Sequence, residues 1–550
     1  MLTAQRRALS GLVGGLLLWL GSMAAWGAEP AKPQGDDPYP FDLLLSVLER
    51  DLTSPEYRAV VDTMIPTDLA AEWKRVATPD NYEAFLAKHG GPEKVQADPA
   101  LKAAYARRKK VADAFLELMR KEYVKRKLKP PFDTGETIDW LNTSKTPATL
   151  AAELTIPVQV VMPAPGSERQ WPRFRGPTGQ GAALEPEFPL RWSETENVVW
   201  KTTLPGVGNS SPVIWDDRIF ITRATEEGQE RVLACYSRTD GSRLWEHAAP
   251  APSATEKLYW KNSHASATPV TDGDRVLALF GNSGLVCCDM SGQRLWHQPL
   301  TAFDTTHGPG SSPLLYKDKV IVVQDQNKAD SIFAAFDKTT GKPLWNKTRP
   351  KSVNWSTPVV LRVADHDELI INGTTRITAY DPETGAELWF ANGSSIETIP
   401  TIVVGGGLIF STSGRNGPTL AILPGGNGDV TATHVHWQVV RGGPHVPSPA
   451  YHARRLYLLN DTGIVTCLDA LSGKSVWQKR LGGKFTASVV EAGGKLLLVN
   501  ESGVTYVLRA GDQYELMATN DLKEDVLATP AVLGGRIYVR TKQQLLCIGE

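Results

Sequence analysis

The sequence predicts an all-β fold, an eight-bladed β-propeller, with a small α-helical region in front of it. Two observations lead to this prediction. From Trp171 onward, short runs of Val, Ile, Leu and Tyr alternate with turns rich in Gly, Asp and Asn, and helical periodicity is almost absent. The same stretch repeats itself at intervals of about 40 to 50 residues, which is typical of propeller blades built from four short strands.

Each repeat opens with a residue, usually small, that is followed by proline and then by branched residues. Seven copies carry the proline, and a copy without it stands at Ala487-Ser488. The prolines are 57, 44, 45, 42, 49 and 81 residues apart, and the last interval spans the two copies around Ala487. The spacing therefore predicts eight repeats. The opening prolines are Pro212, Pro269, Pro313, Pro358, Pro400, Pro449 and Pro530.

Most repeats close with a glycine turn, an apolar residue and a tryptophan. In the first repeat, Thr239-Asp240-Gly241 precedes Trp245. Glycine tolerates the positive φ of such a hairpin, which alanine would resist. We expect the tryptophan to lie on the outer strand and to pack flat between blades, burying on the order of 200 Å². The closing tryptophans are Trp245, Trp296, Trp345, Trp389 and Trp477, and Trp437 closes a degenerate repeat.

The eighth repeat lacks its fourth strand and its tryptophan, since only two residues follow Cys547-Ile548. Upstream of the first repeat, the segment NVVWKTTL (residues 197–204) carries a strand and Trp200 but belongs to no repeat. We expect residues 197–204 to complete the last blade. This arrangement would join the two ends of the propeller domain, residues 171–550, and remove an exposed edge.

Residues 1–27 are predicted to be a signal peptide. Arg6 and Arg7 precede a long apolar run, and Ala25-Trp26-Gly27 offers small residues for cleavage. An uncleaved membrane anchor is the alternative, because the run is near spanning length. We expect a periplasmic or extracellular protein with no transmembrane span after cleavage.

Residues 37–128 are predicted to be helical, and residues 129–170 to be a proline-rich extended linker. The helical prediction depends on capping residues that are followed by proline at the first helical position. The last helix is basic, with eleven Lys or Arg and three Asp or Glu between Leu101 and Pro130. It is either a patch for anionic partners or a solvated helix face, and we favour the solvated face. The capping pairs are Ser54-Pro55, Thr78-Pro79 and Asp98-Pro99.

The composition gives no global argument for a nucleic-acid partner, because the 550 residues carry a net charge of −1. Five cysteines are too few for a disulfide-stapled scaffold, and their odd number leaves at least one unpaired within the chain. Two of them, Cys287 and Cys288, are adjacent at ordinary strand positions of the second repeat. Neighbouring strand residues point to opposite faces, so we do not expect these two to form a disulfide.

The closing pattern of small residue, Asp, Ser or Thr, Gly and Trp, as in residues 467–477, resembles the repeats of the pyrroloquinoline quinone (PQQ) propeller superfamily. The segment WPRFRGPTGQG (residues 171–181) is similar to the start of PQQ-like repeat proteins of planctomycete-type bacteria. The resemblance covers residues 171–550. It implies a propeller related either to quinoprotein alcohol dehydrogenases, which bind PQQ and calcium, or to non-catalytic members such as the outer-membrane assembly factor BamB.

Catalytic members with an adjacent cysteine pair place that pair over the cofactor, in a sequence setting unlike CCDMSGQRLW (residues 287–296). Their calcium-binding Glu and Asn and their catalytic Asp have no matching motif here. The first hypothesis is therefore a non-catalytic binding or scaffold protein of the cell envelope with protein partners, no catalytic residue, no metal and no cofactor. The alternatives are a PQQ-dependent oxidoreductase that uses PQQ with calcium, and a propeller that binds another small ligand or a polysaccharide.

A candidate ligand site is predicted at the channel mouth. In a propeller, the loops that enter the innermost strands and the loops between the second and third strands share one face. Here they bring a polar ring with one aromatic platform, which suits a small anionic or planar ligand; the alternative is the polar lining of any wet channel. The three candidate histidines, His264, His307 and His445, come in part from non-adjacent repeats, so we do not expect them to bind one metal ion together. The candidate residues are Asn209, His264, His307, Asp325, Trp355, Arg415, His445 and Lys484.

Overall fold

The structure is a computed structural model that describes residues 157–184, 187–305, 307–328 and 330–550. The predicted signal peptide, the predicted helical region and residues 129–156 of the predicted linker lie outside these ranges. Among the described residues, no helix has both the length and the apolar character needed to cross a membrane.

Within the described residues the chain forms eight β-sheets, which confirms the predicted eight-bladed propeller. Each sheet has a core of four antiparallel strands; in seven blades all four come from one repeat, and in the eighth three do. Three strands precede the first complete blade, namely β1 (Val158–Val160), β2 (Ala182–Ala183) and β3 (Val198–Thr203). Blades 1 and 2 contain β4 (Val213–Trp215), β5 (Arg218–Ala224), β6 (Arg231–Ser237) and β7 (Arg243–Ala248), then β8 (Val270–Thr271), β9 (Arg275–Leu279), β10 (Leu285–Asp289) and β11 (Arg294–Gln298).

Blades 3 and 4 contain β12 (Leu314–Tyr316), β13 (Lys319–Gln324), β14 (Ile332–Asp337) and β15 (Pro343–Lys347), then β16 (Val359–Val363), β17 (His366–Asn372), β18 (Arg376–Tyr380) and β19 (Glu387–Asn392). Blade 5 contains β20 (Val403–Gly405), β21 (Leu408–Thr412), β22 (Thr419–Ile422) and β24 (Val435–Val439), and the short strand β23 (Gly428–Asp429) and helix α1 (Thr431–His434) lie between its last two strands. Short 3₁₀ helices span Ser167–Arg169 and Gly281–Ser283.

Blades 6 and 7 contain β25 (Ala450–His452), β26 (Arg455–Leu459), β27 (Ile464–Asp469) and β28 (Ser475–Arg480), then β29 (Val490–Ala492), β30 (Lys495–Val499), β31 (Val504–Arg509) and β32 (Leu516–Asp521). Blade 8 contains β33 (Ala531–Leu533), β34 (Arg536–Arg540) and β35 (Gln544–Ile548). The second and third strands of each blade are buried along most of their length, because neighbouring blades cover both faces of every sheet.

The ring is closed by β3. This strand pairs antiparallel with β35, so that Trp200 faces Cys547 and Lys201 faces Leu546. Blade 8 is therefore assembled from both ends of the propeller domain, as the unassigned segment around Trp200 predicts. The pairing also covers the edge that β35 would otherwise expose.

The closing tryptophans pack between blades. The indole of Trp245 lies against Gly292 of blade 2, and its Nε1 donates to the Met290 carbonyl at 3.0 Å. Gly292 has a φ of +91°, and a Cβ there would approach the indole to 2.6 Å, so the turn needs glycine for both reasons. Equivalent Nε1–carbonyl bonds join Trp200 to Arg238, Trp296 to Lys338, Trp345 to Pro382, Trp437 to Ala470 and Trp477 to Gly511.

Trp389 is bound differently, because blade 5 replaces the glycine turn with β23 and α1. β23 pairs in parallel with the outer strand β19, opposite Trp389 and Phe390. The Nε1 of Trp389 donates to Oε2 of Glu368 in its own blade at 3.0 Å. The inserted β23 and α1 explain why the fifth repeat looks degenerate in sequence.

The residue at the start of each innermost strand links neighbouring blades. The amide of Ser211 donates to the hydroxyl of Thr268 at 3.0 Å, and the amide of Thr268 donates to the hydroxyl of Ser312 at 3.0 Å. We call the eight equivalent residues the hydroxyl ring. Further links run from Ser312 to Thr357, from Thr401 to Ser448, from Ser448 to Ser488 and from Ser488 to Thr529.

The hydroxyl ring corrects one detail of the predicted register. In blade 5 the ring member is Thr401, one residue after Pro400, whereas Ser448 in blade 6 directly precedes Pro449. Pro400 therefore lies two positions ahead of the place that proline takes in the other blades. The link between the amides and hydroxyls is local to the strand start, so the shifted proline does not disturb it.

Residues 157–184, which we call the leader, close one end of the channel. β1 pairs with β16 of blade 4, and β2 pairs in parallel with β29 of blade 7. Trp171 pairs with Ile214 of blade 1, and the amide of Thr271 in blade 2 donates to the Pro172 carbonyl at 2.9 Å. Gln180 accepts from the Val404 amide of blade 5 at 2.7 Å. The leader thus contacts innermost strands around the whole axis, at the end where they turn into the second strands.

Candidate functional site at the channel mouth

The connection from blade 1 to blade 2 forms a strap over the mouth. We define the strap as residues 254–263. Lys261 Nζ lies 2.9 Å from Oε1 of Glu501, which belongs to blade 7, and the Thr486 hydroxyl donates to the same oxygen at 2.7 Å. The ion pair is about one-quarter exposed, at 25% for Lys261 and 20% for Glu501. The strap therefore reaches past blade 8 and is fastened to blade 7.

A buried ionic cluster anchors the other end of the strap. Glu256 accepts from Arg231 Nη1 at 2.9 Å, and its second oxygen lies 3.3 Å from Nδ1 of His264. The side chains of Arg231 and Glu256 are 0% exposed. Burial alone would raise the pKa of Glu256, but the hydrogen bonds from His264 and Arg231 and the Arg231 charge outweigh it and hold the pKa at about 2.

His264 is consequently placed elsewhere than the sequence predicts. It was expected at the ligand-binding face, but its ring is 3% exposed and lies against Gly228, where a Cβ would approach the imidazole to 2.2 Å. Its contact with Glu256 makes it part of the strap anchor. The correction has a simple cause: the carboxylate partner comes from the long inter-blade connection, which carries no repeat pattern.

Asp325 is also withdrawn from the mouth into a buried ion pair. Its two oxygens accept from Nε and Nη2 of Arg349, both at 2.9 Å, and one of them also accepts from Asn354 at 3.1 Å. Burial lowers the pKa of Arg349, but the charge and hydrogen bonds of Asp325 outweigh it and raise that pKa above its ordinary value. Asp325 therefore stabilises the loops of blade 3 and corrects the prediction that it offers its carboxylate to a ligand.

The aromatic platform at the mouth is larger than predicted. His307 meets Trp355 edge to face, with ring centroids 5.5 Å apart. Tyr259 of the strap lies 5.7 Å from His307, and Trp260 follows at 5.6 Å from Tyr259. Trp355 Nε1 donates to the Gly308 carbonyl at 2.7 Å. The strap residues were missed because the only signal for them was the long interval of 57 residues between the first two prolines.

A charged group lies beside this platform. Arg415 Nη2 is 2.5 Å from Oε2 of Glu397, and both residues have positive φ, 52° and 57°. His445 Nε2 lies 3.8 Å from the same oxygen. Burial, and then the charges of Arg415, His307 and Lys261, lower the pKa of His445 to about 3. The imidazole of His445 is therefore neutral at physiological pH. The left-handed backbone of Arg415 and Glu397 is strained, and strain of this kind is often found in binding sites.

The last two predicted residues lie at the rim. Asn209 Nδ2 donates to the Lys261 carbonyl at 2.9 Å, so it supports the strap. Lys484 is exposed, and its carbonyl accepts from the Glu501 amide at 2.8 Å. The structure thus gathers His307, Trp355, Arg415 and His445 at the mouth. Among the residues that the structure describes, no three or more His, Cys, Asp or Glu are grouped so that they could hold a metal ion.

The adjacent cysteines lie in the core, away from the mouth. Both are on β10, are 0% exposed and are free thiols. Cys287 packs among residues of blades 2 and 3, such as Leu277 and Leu315, whereas Cys288 packs among residues of blades 1 and 2, such as Phe220. Their side chains point to opposite faces of the strand, which confirms that they do not form a disulfide.

A closed ring of eight blades with inter-blade tryptophans defines a propeller of PQQ-like repeats. The sequence model of the PQQ-repeat family described as outer membrane protein assembly factor BamB matches residues 191–309, 254–429, 428–516 and 461–548. These matches cover well over half of the chain. The chain belongs to this family.

Known relatives agree with the fold. The outer membrane protein assembly factor BamB of Burkholderia pseudomallei is 27% identical over 201 residues, which is 35% of this chain and 46% of that protein. The chain therefore spans about half the length of this curated relative. Quinohemoprotein alcohol dehydrogenases from Pseudomonas putida HK5 and Comamonas testosteroni are each 12% identical with a TM-score of 0.50. They cover 74% and 70% of this chain, and 82% and 80% of their own chains, and they show the fold alone.

Proposed function

We propose that the chain is an exported, non-catalytic propeller that binds protein partners in the cell envelope. The observation that carries the proposal is that the chain itself occupies both ends of its channel. The leader contacts innermost strands around the axis at one end, and the Lys261–Glu501 pair fastens the strap over the other. A ring built in this way offers its outer surface and its loops to a partner.

The position of the adjacent cysteines supports this proposal. In catalytic relatives such a pair lies over the cofactor, whereas Cys287 and Cys288 here are packed into two different inter-blade cores. Burial raises the pKa of Cys288 to about 12, so its thiol is not poised for redox chemistry. The family description as an assembly factor of outer membrane proteins supports the same class of function.

Trp260 marks the surface that we propose for the partner. Its side chain, on the strap, is 75% exposed, which is exceptional for so large an apolar group. Exposed tryptophans of this kind often become the best-buried residues of a protein interface. The partner that the family relationship suggests is a component of the machinery that assembles outer membrane proteins.

A deletion strain tests the proposal. We expect loss of the gene to lower the abundance of outer membrane β-barrel proteins, measured by quantitative mass spectrometry of envelope fractions. Wild-type protein should restore them, and the Trp260→Ala variant should not. Leu184→Ala, which truncates a side chain that is 60% exposed on the leader, is the matched control and should restore them. Unchanged levels in the deletion strain would refute the assembly role.

A second experiment separates this proposal from a quinoprotein. Purified protein is incubated with PQQ and Ca²⁺, and quinone absorbance and dye-linked alcohol oxidation are followed. We expect neither stoichiometric binding nor turnover. Stoichiometric binding with turnover would replace the proposal with a PQQ-dependent dehydrogenase.

The second candidate function is binding of a small planar ligand or a sugar at the mouth. It is favoured by the contiguous aromatic rings of Tyr259, His307 and Trp355 beside the Arg415–Glu397 pair. A screen of oligosaccharides and planar anions by calorimetry tests it. Binding that Trp355→Ala abolishes and Trp260→Ala preserves would support a pocket under the strap.

A further inference from the structure

Two arginines of the leader are buried inside the channel without a carboxylate. Arg173 is 4% exposed and Arg175 is 0% exposed. Arg173 donates from Nε and Nη2 to the carbonyls of Pro177 and Val161, at 2.9 to 3.2 Å. Arg175 donates from Nη2 to the carbonyls of Pro449 and Val489. Among the described residues, neither guanidinium lies within ion-pair distance of an acidic side chain.

Two other deeply buried arginines do have a carboxylate partner, whereas Arg540, at 2% exposure, donates only to Ser210 and Thr222. Arg231 is paired with Glu256 and Arg349 with Asp325, each by two hydrogen bonds. Burial lowers the pKa of Arg173 to about 10 and that of Arg175 to about 9, so both stay charged at neutral pH. Nε and Nη1 of Arg175 have no hydrogen-bond partner among the described residues. The channel therefore holds two positive charges with nothing of opposite sign beside them.

A small cavity adjoins Arg173, the first of these two arginines, and Arg175 is not part of its lining. It has a volume of about 10 Å³, and its lining includes Arg173, Gly179, Thr357 and Thr401. A cavity of this size holds one particle about as large as a water molecule. The Thr401 hydroxyl is buried and has no hydrogen-bond partner among the described residues. The lining is largely apolar, with side chains such as Leu314 and Val359, and it offers one guanidinium and one hydroxyl that is free to donate.

We infer that this cavity binds one small monovalent anion, chloride, between the Arg173 guanidinium and the Thr401 hydroxyl. The anion neutralises part of the leader's charge and joins the leader to the innermost strands of blades 4 and 5. A carboxylate or phosphate group is too large for the space. Binding of the ion therefore stabilises the closed end of the channel.

Crystals grown in bromide give the direct test. Bromide replaces chloride and scatters anomalously, so we expect an anomalous peak in the cavity beside Arg173. A cavity that holds only water, with no anomalous peak in bromide, would overturn the inference. This measurement uses the wild-type protein and does not depend on any variant folding.

Thermal unfolding at constant ionic strength gives the second test. If the dissociation constant is about 1 mM, raising chloride from 1 to 100 mM against gluconate should raise the Tm by about 3 °C. Arg173→Met should abolish this rise, and Thr401→Val should reduce it. Arg169→Met removes an exposed arginine from the same segment and should keep the full rise. An equal rise in Arg173→Met and the wild type would contradict the assignment.

Discussion

Single hydroxyl groups hold neighbouring blades together at the channel wall. Six of the eight ring residues accept a hydrogen bond from the amide that starts the innermost strand of the preceding blade, as Ser488 does from Ser448 at 3.0 Å, whereas the hydroxyls of Ser211 and Thr401 have no partner among the described residues. These amides are buried, and proline, which often follows the ring residue, has no amide to offer. A small hydroxyl residue in front of proline is thus a packing requirement of the ring and was visible in the sequence only as a recurring dipeptide.

Ser488→Ala tests the hydroxyl ring. The variant leaves the Ser448 amide buried without an acceptor, so we expect a loss of about 1–3 kcal/mol in the free energy of unfolding. Ser356→Ala is the control, because the buried Ser356 hydroxyl has no partner among the described residues, and its loss should stay within about 0.5 kcal/mol. Urea unfolding followed by circular dichroism measures both. Equal losses would show that the ring bonds contribute little.

Thiol reactivity tests the burial of the cysteines. All five cysteines are buried and free, and burial raises the pKa of Cys235, Cys288 and Cys467 to about 12. We expect no reaction with Ellman's reagent in native protein at pH 8 and five reactive thiols after denaturation. Rapid labelling of the native protein would contradict the packing of β6, β10 and β27.

The strap is an element that its anchor holds in place. It has no regular secondary structure, yet Glu256 fastens it to Arg231 of β6 and to the amide of Asn282, at 2.5 Å. Because the strap has no regular secondary structure, its order depends on the pairing of the buried Glu256 carboxylate with Arg231. The anchor therefore determines whether Tyr259, Trp260 and Lys261 reach the mouth.

The buried cluster of Glu256, Arg231 and His264 makes the free energy of unfolding depend on pH. Because the folded pKa of Glu256 is about 2 and its ordinary value is 4.5, the stabilisation is complete above pH 4.5 and is lost as the pH falls through 2. The part that depends on pH amounts to about 3 kcal/mol. Glu256→Gln should remove this dependence and should destabilise the protein at pH 7, because Arg231 loses its partner. Urea unfolding between pH 2 and pH 7 measures the free energy of unfolding of both proteins. Parallel pH curves for variant and wild type would refute the role given to Glu256.

The strand β3 acts on its own blade and on the next one. Trp200 is 9% exposed, faces Cys547, and lies against Gly241 of blade 1. Trp200→Ala should lower the free energy of unfolding by about 3–5 kcal/mol, since it opens a cavity at the point of closure. Trp260→Ala, at an exposed position, should change it by less than about 0.5 kcal/mol. Similar values for the two variants would argue against closure by β3.

For the whole molecule, the sequence predicts the eight blades better than it predicts the positions of the leader and the strap. Eight blades and the role of Trp200 follow from proline spacing and from one unpaired strand, because repeats report local structure directly. The leader contacts and the strap do not repeat, and their partners are distant in sequence, as Arg175 and Pro449 show. His264 and Asp325 were misplaced for the same reason: their partners, Glu256 and Arg349, lie outside the repeat pattern.

A charge exchange tests how the mouth is closed. Lys261→Glu and Glu501→Lys should each speed hydrogen–deuterium exchange in the strap, because like charges then face each other across the mouth. The double variant should restore slow exchange, with a coupling of about 0.2–1 kcal/mol for this partly exposed pair. Lys257→Glu, an exposed lysine of the strap, serves as a control and should change little. Additive effects in the double variant would show that the pair does not hold the strap.

The pairing of β3 with β35 also sets an order of events on the ribosome. β3 leaves the exit tunnel long before β35 exists, so it must wait, unpaired and apolar on one side, while seven blades are made. A nascent chain in that state exposes both a lone strand and an open flank of the incomplete ring, which are sites for aggregation. Closure of the ring is then a late step of biogenesis, because it requires the last strand of the chain to be made.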